Sequence, residues 1–482
     1  MIELKYKSRP IWCAILNSTF LVSVLFVPVY GQSRPDKPNI ILIMADDLGW
    51  GDVGFNGNHY IKTPTLDEMA QNGIQFNRFY AASAVCSPTR GSAMTGRHPE
   101  RYGITHANVG HMRKEEITLA EALKGQGYRT GHFGKWHLGT LTLKEKDANR
   151  GGPEGAKDYS PPWENGFDVC FSTESKVPTW NPMITPDKSA GDIGNRTPGE
   201  HFGTYYWTGE DLKVADNLDG DDSRVIMDRV IPFIKDAAAN ETPFFTVVWF
   251  HTPHLPVLAG PEYMALYPEL SEDKQHYFGS ISAMDEQIGR LRETLRELGV
   301  ADDTMIWFCS DNGPEGNEQA NRTQGSAGPY KGRKRSLYEG GIRVPAVLEW
   351  PANIPEGRKT NLPVSTNDYF PSILGILGFE NEGQVHPLDG ANIFPYLADR
   401  LEKRSNPIFF KFQKQEAIMD NQFKLYSPDG GQTYELYDLM NDPGEKNNIS
   451  ANHPDKVNDL SEQLKKWLLS CQESDGGRDY LK

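Results

Sequence analysis

The chain has 482 residues, 38% of them hydrophobic, and a formal charge of −15. That length allows two or three domains with sizeable cores and the composition is that of a globular protein. The acidity disfavours nucleic acid and anionic membranes as partners, and an anionic substrate would require basic residues gathered locally. In chain order, Lys5, Lys7 and Arg9 precede the apolar run IWCAILNSTFLVSVLFVPV and Val29-Tyr30-Gly31. This reads as a signal peptide over residues 1–31, hence export to a periplasm or the exterior. A retained anchor is the alternative, which Asn17, Ser18, Thr19 and Pro28 oppose. No later segment is apolar enough for stable membrane insertion. Cys86, Cys170, Cys309 and Cys471 remain, too few for a disulfide framework.

Three short apolar runs, PNIILIMADD (38–47), TPFFTVVWFHTPH (242–254) and DTMIWFCSDNG (303–313), predict strands buried on both faces. Between the last two, residues 271–299 have helical spacing, with Ser271 as N-cap and Ile281, Met284, Ile288, Leu291 and Leu295 on one stripe. The alternation predicts an α/β fold with a mostly parallel sheet. The three runs end in Asp46-Asp47, His251 to His254, and Asp311-Asn312, and ligand sites in such sheets lie beyond the carboxyl ends of the strands. Asp46, Asp47, Asp311 and Asn312 offer only oxygen, which suits a hard divalent cation, calcium first and magnesium second.

The stretch CSPTR (86–90) places Pro88 in the first turn of a predicted helix and Cys86 at its N-terminus, where an anion is favoured. Cys86 is then a buried structural cysteine, a thiolate nucleophile, or a residue that is chemically converted. Arg90, one turn on, weakens the first reading, and no local histidine supports the second. Spacing alone leaves the last two open.

Residues 140–225 break the βα rhythm and are rich in Gly, Pro, Asp and aromatics, including Trp163, Trp180 and Tyr205-Tyr206-Trp207. Such aromatics either stack on sugar faces or pack the segment onto the domain. From about residue 400 the pattern changes to antiparallel hairpins with turns at Asn421 and Asp429-Gly430-Gly431, then an amphipathic helix over 454–471. The expected organisation is a leader over 1–31, a catalytic domain over 32–395 and a small antiparallel-sheet and helix domain over 396–482.

The ordered set CSPTR with GSAMTGR after it, GKWHLG (134–139), ADDLGWGD (45–52), TPHLP (252–256), SDNG (310–313) and KRSLYEGGIRVP (334–345) resembles the type I, formylglycine-dependent sulfatases. The resemblance covers nearly all of the chain after the leader and implies an alkaline-phosphatase-like fold with a smaller C-terminal α+β domain. It implies that Cys86 is oxidised to formylglycine by a formylglycine-generating or sulfatase-maturating enzyme. By position, the calcium ligands fall on Asp46, Asp47, Asp311 and Asn312 with residue 86, and the sulfate-site residues on Arg90, Lys135, His137, His254 and Lys334. Lys334 is followed by Arg335 where the family often has glycine, which makes Lys331 a rival. Lys331, Arg333 and Arg335 add to the local positive charge. The expected reaction is removal of sulfate from a carbohydrate, with His254 as proton donor assisted by Lys334, and His137 as base. The alternatives are a phosphomonoester or phosphonate hydrolase and a non-catalytic binder of sulfated glycans.

Overall fold

The run NIILIMA forms the central strand β1 (Asn39–Ala45), six of whose seven residues are buried because helices cover the sheet on both sides. The computed structural model describes residues 37–354, 356–381 and 383–481, and the expected leader lies outside them. The other strands of this sheet are β2 (Ile74–Phe76), β3 (Arg129–Lys135), β4 (Val169–Thr173), β5 (Trp207–Gly209), β6 (Leu212–Lys213), β7 (Phe244–Trp249), β8 (Thr304–Ser310), β9 (Ala346–Glu349) and β10 (Arg358–Thr360). Their order is β10-β2-β9-β8-β1-β7-β3-β4-β5-β6. From β8 through β1, β7 and β3 to β4 all pairs are parallel. Both flanks turn antiparallel, at β8/β9 and β9/β2 on one side and β4/β5 and β5/β6 on the other.

Residues alternate between two cores, as the two-residue period of a strand requires. Ile40, Leu42 and Met44 face one core, shared with Ala93 and Met94 of helix Cys86–Thr95 and with helices Leu119–Gly125 and Tyr369–Leu377. Ile41, Ile43 and Ala45 face the other, shared with helices Pro64–Asn72, Asp222–Ala239 and Glu272–Glu297. The last of these matches the predicted helix, with Ser271 as its N-cap and the five predicted apolar residues buried. The segment 140–225 is less irregular than expected, since β4 to β6 extend the sheet within it. Its aromatics pack: Tyr206 stacks on Phe171 at 4.0 Å, Trp207 is buried, and Trp163 lies against the first core.

The C-terminal hairpins form a second, antiparallel sheet of β11 (Ile408–Phe412), β12 (Gln415–Asp420), β13 (Phe423–Ser427) and β14 (Glu435–Asp438). One face, with Ile418, Leu425 and Leu436, takes Leu460, Leu464 and Trp467 of helix Pro454–Asp475. The other, with Phe410, Phe412 and Met419, covers Tyr80, Ala84, Val85 and Leu337. A buried cluster reinforces the contact. Lys424 Nζ lies 3.0 Å from Glu339 Oε1 and 2.9 Å from Glu445 Oε1. Among the described residues no helix is long and apolar enough to cross a membrane, and the four cysteines are buried free thiols.

Candidate active site

Strands β1 and β8 end in register, Ala45 opposite Ser310, so Asp46 and Asp311 leave the sheet side by side. Asp47 follows in a left-handed conformation (φ 66°) and its amide donates to Asp311 Oδ1 at 3.1 Å. Asn312 Nδ2 donates to Asp47 Oδ1 at 2.7 Å. Asp46 Oδ1 and Asn312 Oδ1 are buried without a hydrogen-bond partner. An unmet buried acceptor costs about 1–3 kcal/mol. Two of them among four oxygen-bearing side chains therefore fit a hard divalent cation. Atoms of Asp46, Cys86 and Asp311 lie within 4.8 Å of one another.

Cys86 opens its helix as expected, with Val85 extended before it. Arg90, one turn further, is wholly buried. Its Nη2 donates to Asp311 Oδ2 at 2.6 Å and lies 3.6 Å from Asp46, while Nη1 donates to the carbonyl of Lys135 at 3.2 Å. Lys135 ends β3 and its Nζ reaches Asp46 Oδ2 at 2.6 Å. The residue before it has to be glycine: Gly134 has φ 103°, and a Cβ there would fall 1.9 Å from the carbonyl oxygen of Trp249 on β7. Just beyond β3, His137 (φ 60°) places Nδ1 3.3 Å from Cys86 Sγ.

The loop after β7 brings His254, whose Nδ1 donates to the carbonyl of Leu255 at 2.6 Å and whose Nε2 lies 3.7 Å from Asp47 Oδ2. Lys334 Nζ contacts Asp47 Oδ1 at 2.6 Å and Glu315 Oε2 at 3.3 Å. The ten residues singled out in the sequence thus meet in one cluster. Lys331 does not join it. Its Nζ lies over the Tyr338 ring at 3.7 Å and 3.4 Å from the Tyr437 hydroxyl, toward the C-terminal sheet. Steady-state assays should separate the two lysines: Lys334→Ala is expected to lower kcat about 10²- to 10³-fold, the cost of one lost charge-stabilising donor, and Lys331→Ala to change it less than about threefold.

His251 and Trp136 are supports. His251 bridges Asp222 Oδ2 at 2.8 Å and Thr173 Oγ1 at 2.7 Å, and the buried Trp136 indole donates to the carbonyl of Ser160 at 2.7 Å. Two site residues escape sequence reading, Glu315 beside Lys334 and Asn108, whose Oδ1 lies 2.9 Å from His137 Nε2. Neither belongs to a periodic pattern or a spaced motif, so only tertiary placement reveals them.

Electrostatics sharpen the picture. Burial works against the charge on Asp46, but Lys135, His254, Arg90 and Lys334 outweigh it and hold its carboxyl well below the usual range. Burial, then the charge of Asp46, pushes Asp311 up to about 7 against the pull of Arg90, and burial also raises Asp47 against Lys334. Further positive charge nearby would favour the ionised form of Asp47 and Asp311. Burial raises the Cys86 thiol as well, which makes the unmodified side chain a poor nucleophile. Burial lowers His137 and His254 well below the ordinary histidine value, leaving neutral imidazoles.

A mostly parallel sheet, with a carboxylate cluster beyond its carboxyl ends and Cys86 at a helix N-terminus beside it, is the arrangement of an alkaline-phosphatase-like protein. The family model described as Sulfatase matches residues 38–379, and one described as N-sulphoglucosamine sulphohydrolase, C-terminal, matches residues 330–474. N-acetylgalactosamine-6-sulfatase of Sus scrofa is 32% identical over 392 residues, 78% of this chain and 69% of its own. Arylsulfatase G of Mus musculus is 31% identical over 392 residues, 75% of this chain and 69% of its own. The crystal structure of Ps i-CgsB in complex with k-i-k-neocarrahexaose superposes with a TM-score of 0.74 at 29% identity, covering 91% of this chain and 94% of that one. The chain belongs to the sulfatase family, as a type I member, and is a sulfuric ester hydrolase.

Proposed function

We propose that the protein removes sulfate from a sulfated polysaccharide or its oligosaccharides, using an aldehyde made from Cys86 and a calcium ion held by Asp46, Asp47, Asp311 and Asn312 with residue 86. The observation that carries this reading is the convergence of Cys86 with three cationic side chains and two unpartnered buried oxygens. The carbohydrate comes by likeness: one relative is named for an N-acetylgalactosamine sulfate, and one solved relative is in complex with neocarrahexaose. The family assignment favours sulfate over phosphorus esters. Residues 32–395 carry the chemistry in this reading, residues 396–482 close one side of it, and residues 1–31 direct export.

A bound calcium ion would supply fixed positive charge, and a hydrated aldehyde at position 86 an oxygen nucleophile. The protein's own side chains do the rest. Arg90, Lys135 and Lys334 hold the sulfate oxygens and offset the negative charge that repels a nucleophile at sulfur. His254 gives a proton to the departing alcohol oxygen; Nδ1 is committed to the Leu255 carbonyl, so Nε2 does this work. Burial, reinforced by the charges of Lys334, Lys135 and Lys176, keeps His254 neutral, and an incoming sulfate anion adds to the pull of Asp46 toward protonation. Lys334 assists as an ammonium ion, because Asp47 and its other anionic neighbours outweigh the effect of burial and raise it. His137 Nδ1 takes the proton from a hydroxyl at position 86.

Sulfate release, peptide mass and metal removal test this. A panel of defined sulfated oligosaccharides should yield free sulfate, alongside a mass decrease in the Cys86 peptide from protein of its native host. An unmodified thiol with retained glycan binding would identify a binder instead, and faster turnover of aryl phosphate than aryl sulfate a phosphorus esterase. Removal of divalent cations by chelation is expected to abolish sulfate release and lower the melting temperature, with calcium restoring both better than magnesium. Full activity after exhaustive chelation would remove the metal from the scheme.

A further inference from the structure

We propose that Asn108 fixes the tautomer of His137 and so aims the ring's lone pair at position 86, with Asn149 and Arg150 holding Asn108 in place. The inference deepens the proposed function and rests on its reading of His137 as the base. The ring lies between two polar groups. Its Nδ1 is 3.3 Å from Cys86 Sγ, and its Nε2 is 2.9 Å from Asn108 Oδ1. A neutral imidazole carries a single N–H, and a carbonyl oxygen only accepts. The Asn108 contact therefore puts the hydrogen on Nε2 and leaves Nδ1 free to take a proton from residue 86. In the other tautomer two lone pairs would face each other at 2.9 Å, and the N–H would point at the group that has to be deprotonated.

Asn108 is itself held from two sides. Asn149 Nδ2 donates to the same Oδ1 at 3.3 Å. Arg150 Nη1 donates to the carbonyl of Gly110 at 2.7 Å, and Nε to Glu174 Oε1 at 2.9 Å. Glu174 in turn accepts the main-chain amide of His137 through its carbonyl oxygen at 3.1 Å. One guanidinium thus ties the loop bearing Asn108 to the residue that anchors the His137 backbone. The Arg150 and Glu174 side chains are only 8% and 0% exposed, so water does little to loosen the pair. This assigns the stretch around residues 149–150 a task that packing alone does not explain. Asn108 is a positioning residue, acting through His137.

The proton can be read directly. The full chain is labelled with 15N-histidine and isolated with Cys86 still a thiol, so the result does not depend on conversion; His137 is assigned by comparison with His137→Gln. Two-bond 15N–1H correlations are expected to show the proton on Nε2 in the wild type and in Asn108→Asp, which keeps an acceptor oxygen. Asn108→Leu is expected to shift population to the Nδ1 form. In converted protein Asn108→Leu should lower kcat about 10²-fold, the contribution of a positioned base, with KM within about threefold, and Asn108→Asp should recover most of that loss. An Nδ1 proton in wild-type His137 overturns the proposal even if no variant folds, and so does an unchanged tautomer in Asn108→Leu. Protein with the proton on Nε2 that releases no sulfate once converted would uphold this assignment while defeating the proposed function.

Discussion

Cys86→Ala is expected to lower sulfate release by about 10⁵- to 10⁶-fold, the scale on which loss of a nucleophile falls in hydrolases where residues act as a unit. The fold should survive. The side chain is 2% exposed, but only what lies beyond Cβ is removed, and a cavity of that size costs about 1 kcal/mol. Melting curves and free-sulfate assays on the same preparation read the two effects separately. Turnover above about a hundredth of wild type in the alanine variant would show that position 86 does not supply the attacking atom, whatever else converges there.

Gly134→Ala is expected to cost about 3–5 kcal/mol, at the severe end for a single substitution. The added methyl would meet the main-chain oxygen of Trp249, and a backbone atom in a central strand pair has nowhere to go. The φ of 103° is itself hostile to an L side chain. Gly127→Ala is the control. It too has a positive φ, of 83°, but nothing lies within 4 Å of its Cβ, so it should cost only about 1 kcal/mol. Soluble yield and the temperature of thermal inactivation measure both. Equal losses at the two positions would mean that dihedral strain, rather than the contact with Trp249, dominates.

The central strands were legible because β1, β7 and β8 are continuous apolar runs that stop at charged residues. Strand β3 was not, since Arg129, Gly131, His132 and Gly134 break any apolar signal and its burial comes from neighbours on both sides. Strands β4 to β6 hid in a stretch whose Gly and Pro content reads as loop; five residues of β4 are too few to outweigh it. The C-terminal hairpins announced themselves by turn chemistry, and Asn421 does adopt the left-handed conformation between β12 and β13. In the site, Asp46, Asp311 and His254 could be placed from strand ends alone, and Arg90 from one helical turn. Lys135, His137 and Lys334 needed the family resemblance, and geometry then settled which lysine meets Asp47. Glu315 and Asn108 required coordinates, because a hydrogen bond between residues 108 and 137 leaves no trace in either local pattern.

The covering of Val85 by Phe410 and Phe412 has a consequence for timing. These residues emerge from the ribosome more than three hundred positions after the thiol. At roughly 5–20 residues per second, the segment that ends beside Cys86 waits about 15–65 s before the strands that pack on Val85 have been synthesised. In the folded chain Cys86 is 2% exposed, so if the proposed oxidation needs an unfolded segment, its extent is set by a race between that oxidation and the completion of the fold. Slowing elongation downstream of residue 90 should therefore raise the aldehyde fraction without any change to the protein's sequence.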